Sequence, residues 1–261
     1  LGAEVSAVRQ FRDVARTLSV AALAVAFATG GARAEEVCRF VSLGSATVHT
    51  ATDGAIALED GRIVRLAGIE LARGVELPAG TALALKRLSA TPETDRYGRL
   101  NAHVFIAEDG AERWLQAELV SRGLALVSSR VGEAVCARLL LAKEQTARLA
   151  GVGLWGEPVY VMGKAEDPAE VLKNRGRFAL VEGKVLSVRE SGGTIYVNFG
   201  RRWTEDFTVT IAKRNERVFA AAGLTPKSLN GRRVRIRGWI EERGGPWVEA
   251  ARPEQIEVLG N

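Results

Sequence analysis

From Arg39 onward, apolar residues recur at every second position in short runs separated by glycine-containing turns, the period of half-buried strands. Val41, Ala46 and Val48 stand among Ser and Thr. A turn at Asp53-Gly54 leads to a strand over Ala55–Leu58, and Asp60-Gly61 marks a hairpin to a third strand, Ile63–Leu66. Thr81–Leu88 reads as a further strand, and Leu100–Ile106 as another that the turn Glu108-Asp109-Gly110 closes. The period then lengthens. Trp114–Arg122 places Leu115, Leu119 and Val120 on one helical face. Glu133–Leu149 places Val135, Cys136, Leu139 and Leu140 on another, with Lys143, Glu144 and Arg148 predicted to point outward.

A second series of strands follows a change in composition. Residues 157–175, with Pro158, Gly163, Pro168 and the charged run Lys164-Ala165-Glu166-Asp167, read as a linker. Residues 176–261 then alternate again: a long strand Arg177–Arg189, strands Thr194–Phe199 and Asp206–Ala212, a short helix Glu216–Ala222, and strands Arg232–Glu242 and Trp247–Ala251. The order β-β-β-α-β-β, with a first strand long enough to bend, resembles a five-stranded OB barrel. The expected fold class is therefore mainly β with α.

Residues 1–34 carry a different pattern. Arg9, Arg12 and Arg16 precede an apolar run, Leu18–Ala28, and Ala32-Arg33-Ala34 supplies a small-x-small ending. This predicts a secretory signal peptide cut after Ala34, and a periplasmic or secreted mature protein. The run is short of the roughly 20 residues a bilayer crossing takes, so no membrane span is expected after cleavage; an uncleaved anchor is the alternative. In an oxidising compartment the two cysteines, Cys38 and Cys136, invite a disulfide. Two separate buried thiols are the other reading, and two lone cysteines make no metal signature. The net charge of +5 suits an anionic partner without specifying one.

Two segments bring candidate chemistry. Asp95-Arg96-Tyr97-Gly98-Arg99 opens the strand Leu100–Ile106, and Arg62-Ile63-Val64-Arg65-Leu66-Ala67-Gly68-Ile69-Glu70 precedes it. Together with the helix–Gly123-Leu124-Ala125–helix order that ends at Gly153-Leu154-Trp155, they resemble the thermonuclease (staphylococcal nuclease-like) family over residues 35–156. The resemblance implies an OB barrel with C-terminal helices, and assigns Arg65 and Arg99 as the cations that grip the phosphate being cleaved, with Tyr97 beside them. Guanidinium forks suit a transition state that spreads negative charge over equatorial oxygens.

The carboxylates depart from the family pattern. Its D-G-D-T reads Asp53-Gly54-Ala55-Ile56, so Ala55 stands where a calcium-binding acid is expected. Its I-D-[AT]-P-E reads Ile69-Glu70-Leu71-Ala72-Arg73: Glu70 keeps a metal-position carboxylate, and Arg73 replaces the general base. A guanidinium does not give up its proton and cannot take one from water. Calcium, which takes six to eight oxygens, is implied only if the centre is still active. Arg65 and Arg99 also admit a scaffold role, paired with Glu70 or Asp95.

In the second series Arg233, Arg235 and Arg237 alternate with Val234 and Ile236, which puts three guanidiniums on one strand face. Arg201 and Arg202 add charge, and Tyr196, Trp203, Trp239 and Trp247 offer stacking faces, the combination with which OB folds hold single-stranded nucleic acid. A solvated barrel exterior over core aromatics is the plainer alternative. Three functional readings follow: an exported protein with a degenerate nuclease centre that binds nucleic acid or another polyanion, an active calcium-dependent nuclease, or an envelope protein-interaction scaffold.

Overall fold

The structure, a computed structural model, describes residues 38–260 apart from 53, 73–75, 90, 109, 157–161 and 203. The predicted signal peptide, Asp53, Arg73 and Trp203 lie outside the described residues. The elements of the first half are β1 (Phe40–Thr52), β2 (Ala55–Leu58), β3 (Ile63–Leu66), β4 (Ile69–Leu71), β5 (Ala82–Leu88), β6 (Leu100–Glu108), β7 (Ala111–Trp114), α1 (Leu115–Ser121), β8 (Ala125–Val127) and α2 (Ala134–Leu149).

β1 is long because it serves two neighbours. Its first half pairs with β5 (Phe40↔Leu88 to Thr47↔Ala82) and its second with β2 (Val48↔Leu58 to Thr52↔Ala55). A register shift at Val48/Thr50, where the second half begins, and another at Ser42/Gly44, within the first, bend it, the usual work of a bulge. β2 pairs with β3, β5 with β6, and a parallel pairing of β3 with β6 closes a five-stranded barrel. The alternation expected from the sequence fills it: Val48, Ile56, Val64, Leu83, Leu85, Ala102 and Val104 are all buried. Gln116 of α1 is buried with them. It donates to the Ala102 carbonyl (2.9 Å) and accepts from the Val104 amide (3.0 Å), which satisfies β6 backbone groups inside an apolar setting.

α2 closes one end and is held there by the Cys38–Cys136 disulfide, with Cα atoms 5.2 Å apart. Its buried face is Cys136, Ala137, Leu140, Glu144 and Ala147. The expected stripe was displaced: Leu139 is exposed and Glu144, predicted to point outward, is fully buried. The reason is a second neighbour. The face of α2 beyond the first core is covered by the other half of the chain.

That half contains β9 (Met162–Lys164), α3 (Pro168–Leu172), β10 (Phe178–Lys184), β11 (Ser187–Ser191), β12 (Thr194–Asn198), β13 (Thr208–Ala212), α4 (Glu216–Ala221), β14 (Arg233–Trp239), β15 (Glu241–Arg243), β16 (Gly245–Glu249) and β17 (Ile256–Val258). Part of the stretch expected as a linker is thus structured. β9 pairs in parallel with β10, and α3 is capped by Asp167, whose carboxylate accepts from the Glu170 amide (3.2 Å) ahead of Pro168 at the first turn. The predicted long strand is divided into β10 and β11 where the chain changes partner, from β14 to β12. β12 then pairs with β13, and β13 runs parallel to β16.

The parallel β13–β16 contact matches that of β3 with β6 in the first barrel, but the ring is not closed by pairing: β14 pairs with β10 and β17, in a sheet separate from β11-β12-β13-β16-β15, so the second half is barrel-like. Val181, Ile195, Val197, Phe207, Ile211, Val234 and Ile236 fill its interior. Glu36–Asn261 form one compact unit, and a smaller cluster joins its halves: Leu126, Ala147 and Trp155 from the first pack with Leu180, Met162 and Phe178 from the second.

Candidate functional site

Val64 and Leu66 point into the barrel, so Arg65 between them points out. The parallel register places Val64 beside Leu100 and Arg65 beside Asn101. Arg99, one residue before β6, therefore emerges on the same outer face as Arg65, from the neighbouring strand. The segment that delivers it is a closed loop. The Asp95 amide donates to the Arg99 carbonyl (2.9 Å) and the Gly98 amide to the Asp95 carbonyl (3.0 Å). Gly98 sits at φ 75°, a left-handed conformation that side-chain-bearing residues resist.

Asp95 organises this loop from inside. Its Oδ1 accepts from the amides of Tyr97 (2.9 Å) and Arg99 (3.0 Å), and its Oδ2 accepts from Arg99 Nε (2.8 Å). Burial alone would raise the carboxyl's pKa. The bonds from the Arg99 side chain and from the Arg99 and Tyr97 amides outweigh it and hold the group below the ordinary value. Tyr97 is 67% exposed at the tip, with the guanidinium carbons of Arg96 and Arg99 at 4.8 and 5.4 Å from its ring centre.

Arg65 is anchored by Glu70, which follows it round the turn into β4. Arg65 Nη2 lies 3.3 Å from Glu70 Oε1 and 3.5 Å from Oε2, and the Ser128 hydroxyl donates to Oε1 at 2.9 Å. Ala55, at the position where the family pattern places an acid, is the direct cross-strand partner of Arg65. A carboxylate there would meet the guanidinium; with a methyl instead, Arg65 turns to Glu70. Both scaffold pairs considered from the sequence, Arg65–Glu70 and Arg99–Asp95, are formed. Each arginine still keeps about a third of its side chain open to solvent, 32% and 34%. Ser128, which fixes Glu70 from 58 residues away, carried no sequence signal for that role. Among the described residues no three of His, Cys, Asp and Glu come together.

The predicted basic strand is built differently from the expectation. Arg233, Arg235 and Arg237 do share a face of β14, but only Arg233 is exposed, 3.8 Å from Glu182. Arg235 is clamped between Glu182 (Nη2–Oε1 2.6 Å) and Glu257 (Nη1–Oε2 2.6 Å). Arg237 is buried against α2, bonded to both oxygens of Glu144 (2.7 and 3.0 Å) and to the Val127 carbonyl (3.0 Å). The face is an internal seam, and a face covered by the first barrel leaves two of these guanidiniums no room for a ligand. Arg202 is exposed and pairs with Glu205 at 3.0 Å; Arg201 is exposed with no ion-pair partner among the described residues.

His103, given no role from the sequence, is fully buried with neither ring nitrogen hydrogen-bonded. It packs edge-on against Phe40 and Trp114, and burial pushes its pKa down to about 4.

Residues 81–157 match the family described as staphylococcal nuclease homologue. The match runs from β5 through α2. It includes the Asp95–Arg99 loop and Ser128, and it stops short of Arg65, Glu70 and the whole second barrel. No curated protein matches the chain.

Proposed function

We propose that the chain is an exported protein that binds nucleic acid or another polyanion through a thermonuclease-like barrel whose hydrolytic centre is degenerate. The observation that carries this reading is the disposition of Arg65 and Arg99. They leave adjacent strands on one face, each held from one side by its own carboxylate and open on the other. Such forks bind phosphate, sulfate or carboxylate bidentately without titrating. The exposed Tyr97 adds a stacking surface beside them.

The described donors do not fit a calcium ion. Glu70 spends its oxygens on Arg65 and Ser128, Ala55 offers none, and no group of three or more His, Cys, Asp and Glu that could hold a metal forms among the described residues. Calcium takes roughly six to eight oxygens, more than this set of donors supplies. At the position of the general base the sequence has Arg73, which cannot accept a proton. Export rests on the N-terminal pattern, and the Cys38–Cys136 bridge is in keeping with an oxidising compartment.

The test is binding of a labelled polynucleotide and of heparin to the mature chain across a salt series. The reading expects affinity that falls with salt and weakens at least several-fold in the Arg65→Ala/Arg99→Ala variant. Failure of both polyanions to bind in low salt overturns it.

A further inference from the structure

The second barrel has a groove that the basic strand does not contribute to. Val197, Val209, Ile211 and Val248 point into the core, so their neighbours in β12, β13 and β16 point out. The registers align these outward residues in rows across the sheet. One row is Ser187, Asn198, Thr208 and Trp247; the next is Arg189, Tyr196, Thr210 and Glu249. Together they line a cavity of about 950 Å³, at the upper end of the ~300–1,000 Å³ usual for ligand sites.

Its chemistry is mixed in a specific way. Tyr196 stands in the middle of the platform and is 37% exposed. Asn198 is oriented by its neighbours, donating to the Ser187 hydroxyl (3.3 Å) and accepting from Thr208 (3.4 Å). Trp247 forms the floor, and the Arg243 guanidinium carbon lies over it, 3.5 Å from the ring centre. Arg243 makes one long bond to Glu241 (3.4 Å), which leaves most of its donors unspent. Arg189 and Arg201 are exposed at the rim, with no ion-pair partner among the described residues. The lining thus sets three cations against the single carboxylate of Glu249.

We propose that this groove holds a short single-stranded stretch of nucleic acid, with a base stacked on Tyr196 and phosphates at Arg189, Arg201 and Arg243. An unpaired strand alone offers in each repeat what the lining asks for: a flat π face, a polar edge and an anion. A duplex hides its base faces inside the stack. Asn198 and the outward hydroxyls meet base edges as donors and acceptors, and Glu249 accepts from exocyclic amino groups. The inference rests on the preceding reading in taking the polyanion to be nucleic acid, and it adds a second site to the Arg65–Arg99 face.

The experiment measures anisotropy of two labelled oligonucleotides of equal length and charge, one oligo-dT and one abasic, on the mature full chain in low salt. The proposal expects oligo-dT to bind about ten-fold tighter than the abasic strand. Tyr196→Ala erases that difference while Tyr196→Phe, which keeps the ring, retains it. Arg189→Ala/Arg201→Ala weakens both strands and lowers the salt slope by about 1.4. Equal binding of the two strands, with groove variants like wild type and only Arg65→Ala/Arg99→Ala weakened, overturns the groove and leaves the preceding reading standing. Groove variants weakened while Arg65→Ala/Arg99→Ala binds like wild type support the groove and remove the first-barrel site. Binding of neither strand overturns the groove; the heparin arm described above then decides whether the polyanion reading falls with it.

Discussion

Arg237 of the second barrel and Glu144 of the first meet as a buried, two-pronged ion pair, with side-chain exposures of 3% and 0%. Glu144 also accepts from the Val127 amide at 2.7 Å, and Arg237 also donates to the Val127 carbonyl, so one backbone unit is bracketed by both charges. Removing Arg237 leaves Glu144 buried with Arg148, 3.6 Å away, as its remaining counterion, and removing Glu144 leaves Arg237 charged and dry. Arg237→Ala is expected to destabilise the protein by about 3–5 kcal/mol, whereas Arg237→Met/Glu144→Gln together recover most of it. Urea unfolding of the two variants checks this; a loss under about 1 kcal/mol for Arg237→Ala contradicts a buried pair.

The disulfide closes a loop with a sequence separation of 98. In the chain-entropy account its loss costs about 4–5 kcal/mol, so Cys38→Ser/Cys136→Ser is expected to unfold at markedly lower urea than wild type. Non-reducing peptide mapping of the purified protein should show the two cysteine peptides joined.

Glu70 offers a prediction whose sign separates the two uses of the first barrel. As the counterion of Arg65 it competes with a bound anion. Glu70→Gln is therefore expected to tighten polyanion binding about two- to five-fold, the worth of a partly exposed ion pair. If Glu70 instead serves a metal centre, the same change leaves binding alone and abolishes calcium-dependent cleavage. Titration and cleavage on one preparation read both.

His103 makes the fold acid-sensitive. Its folded pKa of about 4 lies below the unfolded value near 6.5, so the unfolded chain binds the extra proton first. The stability held by neutral His103 is complete above about pH 6.5 and is lost as pH falls towards 4. The expected loss between about pH 7 and pH 5 is on the order of 2 kcal/mol beyond that of a His103→Phe variant, measured by urea midpoints at the two values. Equal losses in the two proteins would contradict this assignment.

Much of the fold could be read from spacing alone. Alternation located the strands of both barrels, and it put Arg65 outside and Val64 and Leu66 inside. It also placed Arg233, Arg235 and Arg237 together on one face. It could not say what covers that face, because the partner, Glu144, lies 93 residues away on another helix. For the same reason Glu144 read as one more polar residue on an exposed stripe. A buried charge looks like a surface charge until its partner is placed. Arg189 and Arg243 went unremarked because their importance comes from cross-strand register, which sets Arg189 in the row of Tyr196 and Glu249, and from the Trp247 ring beside Arg243. The motif arginines were legible as a pair; Ser128, which holds Glu70 in position, was not, since a lone serine in a loop has no distinguishing pattern.

The central claim is that the Arg65–Arg99 face attracts polyanions and does not hydrolyse them. The purified chain incubated with a single-stranded polynucleotide in calcium, followed by release of acid-soluble nucleotides and compared with Arg99→Ala, tests it most directly. The account predicts no release above the variant while the polynucleotide remains bound. Steady, chelator-sensitive release that Arg99→Ala abolishes would contradict it.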